Sequence, residues 1–212
     1  GGNSLVVSED RQTIPDQYEA AVQTVKRIVD IISSGWNVVI THGSGPQVGY
    51  ILRRSELAID EVSPVPMDYA GADIQGALGY MFQRALHNEF GKRDVKKQAI
   101  AVVTQVLVDG ADPAFEYPTK PIGPHLDEAV AQERAAEMGW SVKEEAGRGW
   151  RRVVPSPIPT KIIEMKQIEF LSNAGYVVIA CGGGGIPVLE NEKNYLVGVE
   201  AVIDKDLASA LL

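Results

Sequence analysis

Cysteine and long apolar runs are the scarcest features of this 212-residue chain, whose one cysteine is Cys181. A single thiol cannot form a disulfide within the chain, so a disulfide-stapled secreted scaffold is excluded. No apolar stretch approaches the length of a membrane span, and no charged-then-apolar signal peptide opens the chain. These absences lead us to expect a cytoplasmic protein.

Basic residues are also few, with 20 Lys and Arg against 28 Asp and Glu and a formal net charge of −8. This acidic balance argues against nonspecific nucleic-acid binding, although it leaves room for a local anion site. Apolar residues make up 45% of the chain and charged residues 23%, so the composition predicts a globular protein with a sizeable core.

Several motifs that would define a site are missing. The chain has no Gly-Lys-Ser/Thr P-loop, and its run of four glycines is not the spaced dinucleotide fingerprint. His42, His87 and His125 are not spaced as metal ligands, and no nucleophile is paired with a base. His42 is expected to hydrogen-bond backbone beside its glycine loop, and Cys181 to be a small core residue.

Apolar strands alternate with amphipathic helices over most of the chain. The predicted helices cover residues 16–34, 48–57, 72–90 and 161–173, and the predicted strands cover 36–41, 99–108, 176–180 and 199–203. In the first helix, Asp16 and Glu19 resemble a capping box, and in the third, Gly91 is the predicted stop. This order predicts a parallel sheet covered by helices on both faces.

Residues 109–159 interrupt this alternation. They contain a charged helix over 127–138 and a hairpin with arms at 140–143 and 150–154. We interpret the segment as an inserted subdomain, in which Arg151 and Arg152 are expected at the surface.

Glycine-rich turns are the first candidate sites: Gly1-Gly2-Asn3, Gly43-Ser44-Gly45 and Gly182-Gly183-Gly184-Gly185. Glycine lets backbone N–H groups approach an anion closely, and a following helix N-terminus adds a favourable dipole. Loops at the carboxyl ends of parallel strands also meet along one edge of a sheet. A single such loop is more simply a tight turn, but three together favour a site for phosphate-like groups.

Two lysines are candidate cationic partners for such an anion. Lys120 lies in residues 118–124, where prolines on both sides stiffen the segment. Lys205 lies between Asp204 and Asp206 at a predicted helix start, where a carboxylate could orient it or help hold Mg²⁺. Each lysine alone also fits a solvated surface position.

No compelling general base accompanies these lysines. Phosphoryl transfer depends mostly on positioning and charge neutralisation, whereas an alcohol acceptor usually needs a base to take its proton. The pattern therefore suits an acceptor oxygen that is already anionic, such as a carboxylate or carbamate, although an aspartate could also serve as a base.

Taken together, these blocks resemble the carbamate kinases of the amino-acid kinase superfamily. The matching segments are GGN at 1–3, HGSGPQVG at 42–49, PTKPIGP at 118–124, RRVVPSP at 151–157, IACGGGGIPV at 179–188 and GVEAVIDKDLAS at 198–209. They cover essentially the whole chain in the family's order, and several are particular to carbamate kinases.

The resemblance implies an α/β fold: a three-layer α/β/α sandwich on a mainly parallel sheet, with an inserted protruding subdomain. Residues 1–108 and 155–181 would form the carbamoyl-phosphate-binding core, 109–154 the protruding subdomain, and 182–212 the start of a nucleotide-binding region. It also implies a homodimer in arginine metabolism that makes ATP and carbamate from carbamoyl phosphate and ADP, or runs in reverse, with Mg²⁺ as cofactor.

The resemblance assigns site residues as well. Those implied to line the carbamoyl phosphate site are Gly1, Gly2, Asn3, Gly43, Ser44 and Gly45. The implied catalytic residues are Lys205, Asp206 and Lys120, of which Lys205 neutralises charge on the transferred group and Lys120 closes over the substrate. Those implied on the nucleotide side are Gly182, Gly183, Gly184 and Gly185, together with Lys205. No metal ligand is assigned.

Two departures from the family accompany this expectation. Ser44 stands where the family usually has asparagine, and the family has a strand before the Gly-Gly-Asn turn and a nucleotide-binding region after the Asp-Lys-Asp block. We therefore expect both chain ends to be cut and the chain by itself to be a poor kinase. The alternatives are an acylated amino acid as acceptor, against which the Lys120 segment argues, and a relative that binds anions or nucleotide without turnover.

Overall fold

The computed structural model describes residue 5 and residues 12–212, and the structural statements that follow concern these residues. The helices are α1 (Ile14–Ser33), α2 (Gly45–Leu57), α3 (Met67–Arg93), α4 (Glu128–Met138), α5 (Met165–Asn173) and α6 (Lys205–Ser209). The strands are β1 (Val39–Ile40), β2 (Ala99–Ala101), β3 (Gln105–Val108), β4 (Lys120–Leu126), β5 (Ser141–Glu145), β6 (Gly149–Val154), β7 (Pro159–Ile162), β8 (Val177–Ile179), β9 (Ile186–Glu190) and β10 (Leu196–Gly198).

The central strands form a mixed α/β arrangement, which confirms the predicted class. Strand β8 lies between β1 and β2 and is parallel to both, and its three residues are buried. A second sheet has the order β10-β9-β3-β7, in which β3 and β9 are parallel while both outer pairings are antiparallel. In this second sheet the parallel pair therefore lies at the centre and the antiparallel pairs lie at the edges.

The strand predicted over 99–108 is interrupted between β2 and β3, at residues 102–104. The Gln75 side chain on α3 accepts a hydrogen bond from Thr104 N (2.7 Å) and donates to Thr104 O (3.1 Å) and Gly182 O (3.0 Å). Thr104, which is fully buried, donates through its own hydroxyl to Val102 O at 2.8 Å. Between β2 and β3, side-chain hydrogen bonds thus take the place of strand-to-strand backbone hydrogen bonds. No local sequence pattern indicates this interruption.

Helix α1 begins earlier than predicted, because its capping box uses other residues. Thr13 is the N-cap: its backbone N–H donates to the Asp16 carboxylate (3.1 Å), and Asp16 N donates to the Thr13 hydroxyl (3.3 Å). Asp16 therefore fills the third helical position rather than the cap. The helix packs against α3 through a buried apolar stripe that includes Val25 and Val29.

Helix α3 is longer than predicted at both ends. It begins at Met67, whose backbone N–H donates to the Glu200 side chain at 2.9 Å. It continues through Gly91 and ends before Asp94, which adopts a left-handed conformation with φ 54°. No helix in the described part of the chain is long and apolar enough to cross a membrane.

Two further predictions of secondary structure were wrong. Residues 159–162 form strand β7, antiparallel to β3, so helix α5 begins only at Met165 rather than at residue 161. The strand predicted at 199–203 lies instead at Leu196–Gly198, antiparallel to β9. Strand β7 takes its structure from β3, about fifty residues earlier, whereas β10 pairs with the neighbouring β9. Apolar periodicity over five residues does not distinguish these alternatives.

The hairpin within residues 109–159 is confirmed as β5 and β6, which form a three-stranded antiparallel sheet with β4. Strand β4 was missed because it contains Pro121 and Pro124, which are tolerated at this edge of the sheet. The expectation of surface positions was wrong for both arginines. The Arg151 side chain is 20% exposed with its Nε buried, and Arg152 is half-buried with its guanidinium 4.7 Å from the Trp140 ring centre. The inserted sheet packs on α2 through β4.

Gln75 provides a test of this interpretation of the core. Gln75→Leu conserves volume but leaves the buried Thr104 N–H without an acceptor, while the two carbonyls keep backbone donors from Ile186 and Gly185. We expect urea denaturation to show a loss of about 2 kcal/mol or more in the free energy of unfolding. Gln83→Leu on the same helix, which removes one 3.3 Å bond from a half-buried side chain, should cost less than half as much. Equal losses would contradict the role given to Gln75.

Candidate active site

Four distant parts of the chain converge on one cavity of about 320 Å³. The lining residues are Gly43, Ser44, Gly45, Lys120, Pro121, Ile122, Gly183, Val202, Ile203, Asp204, Lys205 and Asp206. The cavity therefore brings together the glycine loop after β1, the start of β4, one glycine of the four-glycine run and the Asp-Lys-Asp triplet. Gly1, Gly2 and Asn3 lie outside the described residues, and their assignment stays a prediction.

The glycine loop leads from β1 into the N-terminus of α2 at the cavity. Ser44 is the N-cap residue, and its side chain makes no capping hydrogen bond to α2. Gly45, the first helical residue, lines the cavity, so the positive end of the α2 dipole borders it. A thirteen-residue helix opening on a cavity in this way suits a phosphate-like ligand.

His42 packs beneath this loop, in the protein interior. The imidazole is buried, stacks on Phe82 with ring centres 5.9 Å apart, and lies 3.2 Å through Nδ1 from Gly43 O. Burial lowers the pKa of His42, only partly offset by the backbone hydrogen bond, so the ring is neutral at pH 7. The predicted backbone contact is confirmed, and the ring acts as a scaffold for the loop.

The four-glycine run lies against neighbours that leave no room for side chains. A Cβ on Gly183 would lie 2.3 Å from Ser44 Oγ, and one on Gly184 would lie 2.7 Å from Ile203 O. Both glycines also have positive φ, 68° and 96°. Close packing between the glycine loop and the segment before α6 therefore explains the run, of which Gly183 alone lines the cavity. The nucleotide role of residues 182–185 stays a prediction.

Cys181, which precedes the run, is fully buried, as predicted. Burial raises the pKa of its thiol to about 12, with Glu164 adding a smaller effect in the same direction. The thiol is therefore protonated at pH 7, and it is a packing residue rather than a nucleophile.

Lys120 reaches the core from the inserted sheet. Its Nζ lies 2.7 Å from Asp204 Oδ2, and the side chains are 33% and 36% exposed. Asp204 is also the N-cap of α6, accepting hydrogen bonds from Asp206 N (2.9 Å) and Leu207 N (3.4 Å). The Lys120 hydrogen bond, followed by these backbone donors, holds the pKa of Asp204 below its ordinary value against the effect of burial.

Lys205 begins α6 and forms an ion pair with the adjacent Asp206. Helix α6 is fixed to the end of β1 because the Ser209 hydroxyl donates to Lys205 O (2.6 Å) and lies 3.0 Å from the Thr41 hydroxyl. The structure therefore places Lys120, Lys205 and Asp206 at one cavity with Gly43, Ser44 and Gly45. Among the described residues, no group of three or more His, Cys, Asp or Glu side chains is arranged to hold a metal ion.

Sequence reasoning missed several residues that shape the site. Val202 and Ile203 line it as extended backbone, and Gln75 positions the glycine run from α3. Gln75 could have been noticed as a polar residue on the buried face of an otherwise apolar helix segment. Its partners could not, because Thr104 and Gly182 are 29 and 107 residues away.

Comparisons with known proteins identify close relatives, although no family model matches the chain. The chain is 50% identical over 214 residues to a carbamate kinase of Pyrococcus horikoshii, covering 100% of this chain and 68% of that protein. It is 48% identical over 213 residues to carbamate kinase 1 of Enterococcus faecium, covering 100% and 67%.

Solved structures give the same result. The carbamate kinase of Giardia lamblia bound to citric acid superposes with a TM-score of 0.93 at 40% identity, covering 100% of this chain and 68% of that one. The same enzyme bound to AMP-PNP gives 0.89 at 40% identity, covering 100% and 67%. The whole of this chain thus aligns with each relative, and it spans about two thirds of the relative's length.

The double role of Asp204 predicts different effects for two substitutions. Asp204→Asn should keep the cap of α6 and lose the ion pair with Lys120, whereas Asp204→Ala should lose both. We expect the alanine variant to be about 1 kcal/mol less stable than the asparagine variant, because asparagine is an effective N-cap. Urea denaturation at pH 7 measures the difference.

The ion pair between Asp204 and Lys120 also predicts that the stability difference between wild type and Asp204→Asn depends on pH. Because the pKa of Asp204 is lowered in the folded state, its contribution is present above the ordinary aspartate pKa and is lost as the pH falls through the folded-state value. The stability advantage of wild type over Asp204→Asn should therefore shrink below about pH 4. An advantage that is unchanged between pH 7 and pH 3 would contradict the ion pair.

Proposed function

The chain belongs to the carbamate kinase family, and we propose that its cavity transfers a phosphoryl group between carbamoyl phosphate and ADP. The products are ATP and carbamate, and the reaction runs in either direction. The observation that carries the proposal is the convergence of Lys120, Lys205 and the loop at 43–45 on one cavity. Two cations and a helix N-terminus facing the same space suit a phosphoryl group with charge on several oxygens.

The proposed role of each residue follows from its position in the cavity. The loop at 43–45 and the N-terminus of α2 hold the phosphate of carbamoyl phosphate with backbone donors. Lys205 lies at the transferred phosphoryl group and neutralises the charge that develops there. Lys120 covers the substrate from the inserted sheet. The carbamate oxygen is already anionic, so the acceptor needs no general base, and the neutral, buried His42 takes no part in proton transfer.

Both lysines change partners when substrate binds. In the structure Lys120 is paired with Asp204 and Lys205 with Asp206, so each cation is balanced by a carboxylate. A phosphate with two negative charges competes for the ammonium groups through charge-assisted hydrogen bonds. The carboxylates therefore orient the lysines, and the substrate replaces the carboxylates as their partner.

Mg²⁺ fits this arrangement as a companion of the nucleotide. Mg²⁺ is usually held by one or two carboxylates, substrate phosphates and several waters rather than by a protein cage. Asp206, whose side chain is 81% exposed, and Asp204 are the carboxylates at the cavity that would hold it. Bound there with ADP or ATP, the ion would neutralise phosphate charge.

The remaining assignments complete the proposal. The two central sheets would belong to a three-layer α/β/α sandwich formed by residues 1–108 and 155–181, with 109–154 as the protruding subdomain. Gly1, Gly2 and Asn3 would line the carbamoyl phosphate site, and residues 182–212 would begin the nucleotide region, with Gly182 to Gly185 on that side. The AMP-PNP complex of the Giardia lamblia relative supports nucleotide binding. The protein would be a cytoplasmic homodimer.

A second candidate function is binding of anions or nucleotide without turnover. It is favoured by one observation, that the loop at 43–45 and the two lysines at the cavity suit the binding of an anion whether or not transfer follows. Saturable carbamoyl phosphate binding with no ATP formation would support this function over phosphotransfer.

Substitution of Lys205 tests the chemical step. A coupled assay of ATP formation from carbamoyl phosphate and ADP with Mg²⁺ should show kcat reduced on the order of 100-fold or more in Lys205→Ala. Thermal unfolding should change little, because Lys205 forms its ion pair with the adjacent, exposed Asp206. Near-normal turnover by this variant would remove Lys205 from the mechanism.

Substitution of Lys120 separates substrate binding from nucleotide binding. Lys120→Ala should raise the KM for carbamoyl phosphate by about tenfold or more, since a charge-assisted contact is lost, and leave the KM for ADP nearly unchanged. Lys143→Ala is the matched control, because Lys143 is an exposed lysine of the same sheet that does not line the cavity. A loss confined to ADP affinity would place Lys120 at the nucleotide instead.

A further inference from the structure

A second cavity, of about 140 Å³, lies between α2 and the inserted sheet. Leu52 of α2, Ile122 and Leu126 of β4, and Val130 of α4 form its apolar walls. Trp140 and Arg152 also line it. Of these wall residues only Ile122 also lines the candidate active site, while Leu52, Leu126 and Val130 do not, so the proposed phosphoryl transfer does not account for this space.

The contact between α2 and β4 beside this cavity is made by backbone alone. A Cβ on Gly49 would lie 2.5 Å from Gly123 Cα, so helix and strand touch without intervening side chains. Both glycines border the cavity. A side chain at position 49 would push α2 and β4 apart. The close contact of the two glycines therefore sets the distance between the helix and the strand, and with it the width of the cavity between their larger side chains.

Arg152 is the unusual member of the lining. Its guanidinium lies 4.7 Å from the Trp140 ring centre, and none of the described residues accepts a hydrogen bond from it. Burial lowers the pKa of Arg152, partly offset by the charges of Glu200 and Glu56 at longer range. Arg53, by contrast, is paired with Glu56 at 3.0 Å. The guanidinium of Arg152 is half-buried and its donors are not used by a protein acceptor, so they are available to an anion that enters the cavity.

The charges around the cavity favour an anion as well. Its charged lining residues are Arg53, Arg134 and Arg152 against Glu56 alone. The apolar walls restrict the kind of anion, because they offer no hydrogen bonds to the remaining oxygens of a phosphate. A carboxylate on an apolar body leaves fewer polar atoms to satisfy.

We infer that this cavity binds a small monocarboxylate with a compact apolar body, the carboxylate bound by Arg152 and the body packed between α2 and β4. The volume agrees with such a ligand, since an apolar cavity on the order of 150 Å³ accommodates benzene. The site is separate from the phosphoryl-transfer chemistry and does not depend on it. Because its walls include α2 and β4, which also carry Gly45 and Lys120, a bound ligand would hold these elements together.

Benzoate is the probe for the test, and benzamide is its neutral counterpart of equal shape. Titration calorimetry on the intact chain should show saturable binding of benzoate, with benzamide at least about tenfold weaker because the charge-assisted contact is lost. Arg152→Met should weaken benzoate binding by a similar factor. Arg151→Met is the matched control: Arg151 is the preceding residue on β6, lies 3.4 Å from Glu145 and does not line the cavity, so binding should be retained.

A second variant keeps the test decisive if Arg152→Met does not fold. Val130→Phe fills the cavity without changing a charge, and it should abolish benzoate binding while the circular dichroism spectrum stays that of wild type. The inference is overturned by an absence of saturable benzoate binding at 10-millimolar order, the range of weak small-ligand contacts. Equal affinity for benzamide, or unchanged benzoate binding in Val130→Phe, would overturn it too.

Discussion

The close approach of backbone at residues 182–185 is the constraint on which the candidate site depends. Gly183 N donates to His42 O at 2.7 Å, which joins the loop after β8 to the loop after β1. A Cβ on Gly184 would collide with Ile203 O, so the segment that leads to Lys205 is equally close. Without side chains in this run, three loops reach one another and their functional groups share one cavity.

Charge balance is the second organising feature of the site. The chain as a whole carries a net charge of −8. The cavity, by contrast, contains two lysines, each of which is paired with an aspartate. Asp204 connects the two pairs, because it accepts from Lys120 and caps the helix that begins with Lys205. The same carboxylate therefore contributes both to the contact of the inserted sheet with the core and to the start of α6.

Helix α2 relates this site to the second cavity. Its N-terminus borders the candidate active site at Gly45, and its next turn touches β4 through Gly49 and Gly123. Strand β4 in turn begins with Lys120. The backbone contact between Gly49 and Gly123 thus helps to fix the position of Lys120 relative to the loop at 43–45. The second cavity lies beside this contact, and Arg152 lines it without a hydrogen-bonded partner among the described residues.

The sequence by itself determined the α/β class, the hairpin of the inserted segment, and the glycine loop and lysines as site candidates, because these depend on apolar periodicity, turn residues and short motifs. Only the tertiary structure decided which groups meet. Lys120 and Asp204 are 84 residues apart, and Gln75 reaches Gly182 across 107. The tertiary structure also determined that residues 159–162 and the proline-containing β4 are strands, since pairing with a partner strand outweighs a weak local preference for another secondary structure. Alternation along β6 gave the two half-buried arginines different partners, Glu145 for Arg151 and Trp140 for Arg152, because adjacent residues of a strand face opposite sides of the sheet.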